Sequence, residues 1–402
     1  MVENKDKKVL NVPNLRFKEF EGEWQEKRLS DIADLSKGIG ISKDQLSADG
    51  EPCILYGELY TKYKSETIKE VISKTNIDNT KLVKSKANDV IIPCSGETAE
   101  EIATARCVLK DDILLGGDLN IIRLHGYDGS FMSYQLNGKR KYDIAKVAQG
   151  VSVVHLYGEH LKNIKTINPS LNEQKKIANL LFLLDERIST QNKIIEDLKK
   201  LRSAISKQVF VQIPNEWNRL DSLFSKGKAG GTPTSTNKDY YNGDIPFLSI
   251  NDITKQGKYI KYTENHLSQS GLENSSAWII PKYSLIMSMY ASVGLVTINE
   301  IPIATSQAMF AMQLKDTNLL DYLYYYLSHF KYRHLYKYLE TGTQSNINAD
   351  TVRRIMIPNY GYSRNIEIAS TLKSIDAKID NELSILELLN SQKQYLLRQM
   401  FI

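Results

Sequence analysis

The chain has 402 residues, of which 42% are hydrophobic and 25% charged, and its formal net charge at pH 7 is +5. These values are typical of a globular chain with two or three domains and exclude an intrinsically disordered one. The mildly basic balance is compatible with an anionic partner but does not identify one.

The N-terminal residues 1–8 are polar and charged, without the apolar segment of a signal peptide. The longest apolar stretch, Ile177 to Leu184, is too short to span a bilayer. Three cysteines (Cys53, Cys94 and Cys107) lack C-x-x-C spacing, and the six histidines are scattered. The sequence therefore predicts a cytoplasmic protein with buried free thiols and no metal site.

The first of two similar modules begins near Trp24. Alternating or continuous apolar runs predict strands at 89–92 and 119–124, and a third short strand at 164–167 follows the polar loop Gly150-Val151-Ser152. Pro169 then breaks the chain, and Ser170-Leu171-Asn172-Glu173 resembles a helix capping box.

A long amphipathic helix follows, with apolar residues at alternating steps of four and three, which is the heptad seam of a coiled coil. Its seam is Ile177, Leu181, Leu184, Ile188, Gln191, Ile195 and Leu198, continuing through Arg202, Ile205 and Val209.

The second module repeats this order from Trp217. Strands are predicted at 284–287, 309–314 and 355–357, and a tyrosine-rich helix at 319–339 with core positions 320, 323, 327 and 330. The polar loop 342–346 precedes the last strand, and Pro358 is expected to break the chain before the second helix.

The second helix carries the same series of apolar positions 191 residues later, without a gap. We call this series the ladder and the two helices the ladder helices. Its seam is Ile368, Leu372, Ile375, Ile379, Glu382, Leu386 and Leu389, continuing through Lys393, Leu396 and Met400. The polar residues that interrupt the apolar series also lie at equivalent positions, since Gln191 matches Glu382 and Arg202 matches Lys393. The predicted fold is α/β (mixed α+β), with two pseudo-symmetric globular modules joined by a two-helix coiled coil.

The direction of the two helices follows from their length. Residues 172–210 would span about 58 Å at ~1.5 Å per residue, whereas a module of this size has a radius of gyration of about 15 Å. An antiparallel pair needs the second module only to reverse the chain at one end, so antiparallel packing is expected. If Gln191 faces Glu382, then Ile177 meets Leu396 and Ile205 meets Ile368, with Leu184 opposite Leu389 and Leu198 opposite Ile375.

Catalytic patterns are missing from the sequence. There is no P-loop, Gly38-Ile39-Gly40 lacks the third glycine of a dinucleotide site, and Asn168-Pro169-Ser170-Leu171 lacks the second proline and the aromatic residue of an amino-methyltransferase motif. No Pro-Asp dipeptide supports a nuclease site. The chain is therefore expected to be a non-catalytic binding subunit.

The chain resembles the specificity (S) subunit of type I restriction–modification enzymes over essentially its full length. The resemblance lies in the Trp24 and Trp217 module starts, the segments 230–233 and 241–248, the loop 342–347, and the start of each ladder helix. Singly these motifs are weak, but together with the doubled layout they are specific.

The resemblance implies two target-recognition domains that each read half of a bipartite DNA sequence, with the two helices as a ruler. The implied division is 1–168 and 213–361 for the recognition domains, and 169–212 and 362–402 for the spacer helices. It implies docked methyltransferase subunits that flip and methylate an adenine, together with motor-nuclease subunits. S-adenosylmethionine, ATP and Mg would bind those partners and not this chain. Unlike modules predict an asymmetric target.

Candidate DNA contacts are polar residues in loops or beside predicted strands, because base edges are read by such donors and acceptors. They are Lys37, Ser42, Lys43, Tyr56, Ser95 and Glu97 in the first module, and Lys228, Thr232, Thr234, Ser235, Asn251, Tyr290, Ser292, Gln307, Gln344 and Asn346 in the second.

Two other interpretations stay open. The twin modules could form a protein-docking scaffold without DNA readout, which salt-dependent duplex binding would distinguish. The chain could also be a self-contained methyltransferase, which would have to bind S-adenosylmethionine.

Overall fold

A computed structural model describes residues 11–150, 153–290, 292–333, 335 and 346–402. The chain divides into two compact units, residues 1–193 with 384–402 and residues 194–383. Each unit thus contains one module of the repeat and one half of each ladder helix. The predicted division into four segments by residue range stays a prediction.

The first module is built from short strands and helices. Its strands are β1 (Gln25–Arg28), β2 (Ala33–Lys37), β3 (Leu46–Ser47), β4 (Glu51–Ile54), β5 (Thr67–Ile68), β6 (Ser73–Thr75), β7 (Val83–Lys84), β8 (Asp89–Pro93), β9 (Ser95–Gly96), β10 (Arg106–Val108), β11 (Leu114–Leu115), β12 (Leu119–Leu124), β13 (Val154–His155) and β14 (Lys165–Asn168). Its helices are α1 (Leu29–Ile32), α2 (Glu58–Thr61), α3 (Ala99–Ile102), α4 (Gly129–Asn137), α5 (Lys141–Lys146) and α6 (Gly158–Leu161), and the first ladder helix is α7 (Leu171–Phe210).

The second module has the same plan. Its strands are β15 (Glu216–Arg219), β16 (Phe224–Ala229), β17 (Tyr241–Leu248), β18 (Tyr259–Ile260), β19 (Asn265–Leu267), β20 (Leu285–Ser288), β21 (Val296–Asn299), β22 (Ala304–Thr305), β23 (Met309–Leu314) and β24 (Met356–Asn359). Its helices are α8 (Ile250–Gln256), α9 (Gln269–Glu273), α10 (Leu320–Arg333) and α11 (Ala349–Arg353), and the second ladder helix is α12 (Tyr362–Gln399).

Each module has its own five-stranded main sheet, and the two sheets have the same topology. The strand order is β2-β12-β8-β10-β5 in the first and β16-β23-β20-β21-β18 in the second. In both, the strands pair antiparallel except for the last edge pair, which is parallel. The central strand β8 is buried at every position, which explains its continuous apolar run. The topology therefore confirms the internal repeat.

A second sheet completes each module. Its order is β3-β6-β4-β11-β7 in the first module and β19-β17-β22 in the second. Each contains one parallel pair, β4 with β11 and β17 with β22. A two-stranded sheet joins the start and end of each module, β1 with β14 and β15 with β24.

The predicted strands at 119–124 and 309–314 match β12 and β23, and α10 buries its four predicted apolar positions. The expected break at Pro358 is wrong, because β24 continues through Pro358, which pairs with Trp217. Proline is tolerated there because both strands of a two-stranded sheet are edge strands. A residue on an edge strand can turn its backbone nitrogen away from the partner strand, so no hydrogen bond is lost. Of the capping box, Ser170 accepts from the Glu173 amide at 3.4 Å, but the Glu173 carboxylate pairs with Arg16 instead.

The two ladder helices run antiparallel within each unit. In the first unit, Ile177 near the start of α7 shares a core cluster with Leu396 near the end of α12. In the second, Ile205 near the end of α7 shares a cluster with Ile368 near the start of α12. Both layers agree with the predicted register. The pairing of Gln191 with Glu382 stays a prediction.

The predicted seam residues form the inner face of these helices. Those that are buried are Ile177, Leu181, Leu184, Gln191, Ile195, Ile368, Leu372, Ile379, Glu382 and Leu389, and those that are half-buried are Ile188, Leu198, Ile375 and Leu386. An apolar stripe of this length cannot remain exposed to water, so it accounts for the pairing of two helices of 40 and 38 residues.

A tyrosine of each module forms a hydrogen bond with an aspartate on a ladder helix. Tyr134 of α4 donates to Oδ2 of Asp185 on α7 at 2.8 Å. At the equivalent position, Tyr325 of α10 donates to Oδ2 of Asp376 on α12 at 2.7 Å. Burial and the adjacent carboxylate raise the pKa of both phenols, so they remain hydrogen-bond donors at neutral pH.

Candidate nucleic-acid interface

The predicted contact residues of the second module gather at one end of its main sheet. There β16 ends, β23 begins and β20 ends, as the pairs Ala229 with Phe310 and Ser288 with Met309 show. In the second sheet, Leu248 pairs with Thr305, so the ends of β17 and β22 lie side by side. The loops that follow these strands form what we call the loop face of the module.

Two glycines allow the first loop to approach the sheet closely. The Gly230 amide donates to the Met309 carbonyl at 3.1 Å, and the Gly231 amide donates to the Thr305 carbonyl at 2.9 Å. A Cβ on Gly230 would lie 2.0 Å from the backbone oxygen of Thr305, a distance too short for any side chain. Glycine is therefore required where this loop leaves β16.

This approach brings Thr232 next to Gln307. The Thr232 hydroxyl donates to Oε1 of Gln307 at 2.5 Å, and both side chains are exposed. The amide nitrogen of Gln307 is left to act as a donor at the surface. The pair is thus a preoriented hydrogen-bonding group of the kind that reads base edges.

The other predicted residues of this module lie around that pair. Lys228, Thr234, Ser235, Asn251, Tyr290 and Ser292 are exposed, and Asn346 is half-buried. The Asn251 side chain donates to Glu264 at 3.0 Å, and the Lys228 ammonium donates to the Ser276 carbonyl at 3.4 Å. The Ile347 amide donates to the Met289 carbonyl, which holds Asn346 beside the end of β20. Gln344 lies outside the described residues.

The first module has the same loop face. The Gly38 amide donates to the Leu119 carbonyl at 3.0 Å, and the Ile39 amide donates to the Leu115 carbonyl at 3.1 Å. A Cβ on Gly38 would lie 2.0 Å from the oxygen of Gly116. Gly38 is thus the counterpart of Gly230, although the surrounding sequences differ.

A cleft of about 680 Å³ opens on the first loop face and is lined in part by three predicted residues, Ser42, Lys43 and Tyr56. Ser42 caps the short 3-10 turn at Lys43–Gln45. Lys37 is exposed at the end of β2, and Glu97 is exposed after β9. Ser95 differs, because its side chain is buried where β9 pairs with β13.

Sequence reasoning missed two aromatic groups on these modules. Tyr157 is 45% exposed, and the Lys37 ammonium lies 5.6 Å from its ring centroid. In the second module, the Lys226 ammonium lies 4.2 Å from the ring centroid of Trp278. Aromatic faces paired with cations are suited to contacts with bases and phosphates. Only the fold reveals them, because each pair joins residues distant in sequence.

The described residues contain no group of three or more metal-ligating side chains. Cys53, Cys94 and Cys107 are free and buried, and burial raises the pKa of their thiols to about 11, 11 and 12, respectively. They are therefore protonated at neutral pH and are not nucleophiles. Among the described residues, no helix has the length and apolar character needed to cross a bilayer. The loop faces offer hydrogen-bonding and charged groups, which is the chemistry of recognition.

Comparison with known proteins identifies a domain family. The model described as the type I restriction modification DNA specificity domain matches residues 21–200 and again residues 214–391. The two matches cover most of the chain and follow the order of the repeat.

Curated relatives carry the same description. The chain is 27% identical over 198 residues to the type I restriction enzyme MjaIX specificity subunit of Methanocaldococcus jannaschii, covering 48% of this chain and 45% of that protein. It is 28% identical over 254 residues to the MjaVIII specificity subunit of the same organism, covering 62% and 55%. The chain therefore spans about half the length of these two relatives.

Two solved structures share the fold. The S subunit of the type I restriction–modification system from M. genitalium superimposes with a TM-score of 0.63 at 17% identity, covering 97% of this chain and 99% of that one. A chain from a study of complex assembly and conformational transition of the type I system superimposes with a TM-score of 0.57 at 16% identity, covering 94% of this chain and 97% of that one.

Proposed function

Since the chain belongs to the family of type I restriction modification DNA specificity domains and contains two of them, we propose that it is the specificity subunit of a type I restriction–modification complex. In this role each module reads one half of a bipartite DNA target through its loop face. The relatives are named as specificity subunits, which agrees with the expectation of a non-catalytic chain.

The observation that carries the proposal is the pair of equivalent loop faces with unlike side chains. Gly38 and Gly230 hold the same backbone arrangement at the same end of equivalent sheets. Around them, the first module presents Lys37, Ser42 and Lys43, whereas the second presents Thr232 and Gln307. A shared scaffold with different polar groups is expected to read two different half-sites, and hence an asymmetric target.

The division of labour on the DNA follows from the side-chain chemistry. Amide and hydroxyl groups such as Gln307 and Thr232 can distinguish base edges in the major groove, while Lys37, Lys43 and Lys228 can neutralise phosphates. The ladder helices would keep the modules a set distance apart, so that several base pairs between the half-sites are not read.

The partners belong to the proposal. Two methyltransferase subunits would dock on the helical region and methylate adenine N6 in each half-site after flipping the base, and motor-nuclease subunits would join for restriction. S-adenosylmethionine, ATP and Mg would be bound by those subunits in the cytoplasm. The recognition domains would be 1–168 and 213–361, with spacer helices at 169–212 and 362–402.

Methylation mapping tests the proposal directly. The chain would be co-expressed with its methyltransferase subunits, and the modified adenines would be mapped on single DNA strands. We expect one bipartite, asymmetric motif that disappears when this chain is omitted. Replacing the loop face of one module by that of another family member should change one half-site and leave the other unchanged.

Two results would contradict the proposal. A complex that binds duplex DNA without sequence preference, or only proteins, would favour a protein-docking scaffold. Stoichiometric S-adenosylmethionine binding by the isolated chain, measured by calorimetry, would favour a self-contained methyltransferase.

A further inference from the structure

A basic cleft of about 400 Å³ lies in the second unit between the ladder helix α7 and the tyrosine-rich helix α10. We call it the α7–α10 cleft. Its lining includes Arg202 and Lys207 from α7 and Tyr325, His329, Tyr332 and Arg333 from α10. Three guanidinium or ammonium groups, a histidine and several hydroxyls therefore surround one cavity. No carboxylate is present among the described residues that line it.

Arg202 has fewer neighbouring carboxylates than Lys393, the equivalent residue in the other unit, so the charge around Arg202 is more positive. Lys393 lies 2.6 Å from both Glu66 and Asp185, and its side chain is only 12% exposed. Arg202 lies 2.7 Å from a single carboxylate, Asp376, and is 46% exposed. The lysine site is thus closed by two anions, whereas the arginine site is open and has one.

The three cations of the cleft keep donors that no described residue uses, whereas the Tyr325 hydroxyl already donates to Asp376. An arginine carries five N–H donors, and the contact with Asp376 involves one nitrogen, Nη1 of Arg202. Lys207 and Arg333 are exposed, and neither has a hydrogen-bond or ion-pair partner among the described residues. Such an arrangement of cations with unused donors is suited to an oxyanion, because charge-assisted hydrogen bonds would satisfy those donors.

The cleft also lies near the loop face. The Cγ atom of Lys331, at the end of α10, is 3.2 Å from the position of a Cβ built on Gly294. Gly294 belongs to the loop after β20 that carries the predicted contacts Tyr290 and Ser292. The end of α10 that contributes Tyr332 and Arg333 to the cleft therefore borders the surface assigned to DNA.

From these observations, and resting on the function proposed above, we infer that the α7–α10 cleft binds a backbone phosphate of the duplex beside the second half-site. Lys207 and Arg333 neutralise the phosphate, and the exposed Tyr332 hydroxyl donates a hydrogen bond to one of its oxygens. The contact carries no sequence information. It fixes the position of the second module on the DNA.

Salt-dependent binding by the methyltransferase complex tests this inference. Log K falls with log salt by ~0.9 for each phosphate neutralised. The double variant Lys207→Gln/Arg333→Gln is expected to reduce that slope by about one and to weaken binding about tenfold at fixed salt, equally for target and non-target duplexes. Its mapped methylation motif should be unchanged.

The matched control is Lys261→Gln/Lys282→Gln, which removes the same charge. Both lysines are exposed and lie away from the loop face, after the end of β18 and before the start of β20. This control should keep the wild-type slope. The variant Ser206→Glu places a negative charge in the cleft and should weaken binding without removing a cation. Thermal unfolding of each variant verifies its fold.

The alternatives give different results. Wild-type slopes for both cleft variants would overturn the inference while the proposed function stands. If the wild-type complex binds poly-glutamate and the cleft variants do not, while their DNA binding is unchanged, the ligand of the cleft is an acidic protein segment. Binding of inorganic phosphate, followed by 31P NMR, with no effect on duplex affinity would assign it to a free anion. A wild-type complex that binds no DNA would overturn the proposed function itself.

Discussion

Lys393 on the second ladder helix places its Nζ atom 2.6 Å from Oδ1 of Asp185 on the first. The relationship recurs at the positions offset by 191 residues with the helices exchanged, since Arg202 on the first lies 2.7 Å from Oδ1 of Asp376 on the second. Each helix therefore supplies one carboxylate and one cation to such pairs. Of the polar residues that interrupt the apolar ladder, Arg202 and Lys393 form ion pairs between the two helices, and these pairs favour the antiparallel arrangement.

Replacing the two equivalent cations by glutamine is expected to lower the free energy of unfolding by unequal amounts. Lys393→Gln leaves Glu66 and Asp185, both mostly buried, without their shared counter-charge, which should cost about 3–5 kcal/mol. Arg202→Gln removes a half-exposed cation with one partner and should cost about 1 kcal/mol or less. Urea unfolding followed by circular dichroism measures both. Equal losses would contradict this assignment.

The cost of Lys393→Gln is expected to depend on pH. Burial raises the pKa of Glu66 above its usual value of 4.5, and the charge of Lys393 opposes that shift, so removal of the lysine raises the pKa further. A carboxyl group with a raised folded-state pKa binds its proton more tightly in the folded protein. The folded state therefore gains relative stability as the pH falls through that pKa.

We accordingly expect the difference in unfolding free energy between wild type and Lys393→Gln to be smaller at about pH 5 than at about pH 7.5. Urea unfolding at both pH values provides the measurement, with Arg202→Gln as the parallel control for effects of pH on the rest of the chain. A difference that is constant or grows toward acid would show that Glu66 does not dominate the effect.

Periodicity made much of the fold predictable. The strands β12 and β23 and both ladder helices follow from local patterns of apolar residues, because those patterns report which face is buried. The two module-start tryptophans were not distinguishable in this way. Trp24 is 2% exposed, because it packs edge-on against Phe131, whereas Trp217 is 51% exposed. Their burial depends on distant segments that a local pattern does not contain.

The candidate site was predictable in kind but not in geometry. Thr232 and Gln307 were each identifiable as polar loop residues, yet the hydrogen bond between them joins positions 75 residues apart. The contact depends on which strands are neighbours in the sheet. The same holds for the α7–α10 cleft, which forms only where two helices from different parts of the chain lie side by side.

Gly230→Ala is expected to disturb the second loop face. The added Cβ would meet the backbone oxygen of Thr305 at 2.0 Å, so the loop must shift, at a cost of about 1–3 kcal/mol in stability. The control is Gly158→Ala, whose Cβ would have its nearest neighbour at 3.7 Å and should be nearly neutral. Thermal unfolding and duplex binding measure both effects. Wild-type behaviour of Gly230→Ala would show that the close approach is not required.

Gln307→Ala and Lys228→Gln are expected to separate sequence readout from phosphate binding. Gln307 is held by Thr232 at 2.5 Å and presents its amide at the loop face, so truncation should remove about 1–3 kcal/mol of discrimination at one base pair. Methylation mapping should then show one degenerate position in the half-site read by the second module, with the other half-site unchanged.

Lys228→Gln removes an exposed charge at the end of β16 and should act differently. Because a phosphate contact is independent of sequence, binding should weaken by a similar factor for all duplexes, and the slope of log K against log salt should fall by about one. The mapped motif should be unchanged. If Lys228→Gln alters the motif, or Gln307→Ala weakens every sequence equally, the roles assigned to these two side chains must be exchanged, because only a contact with a base edge can depend on the base.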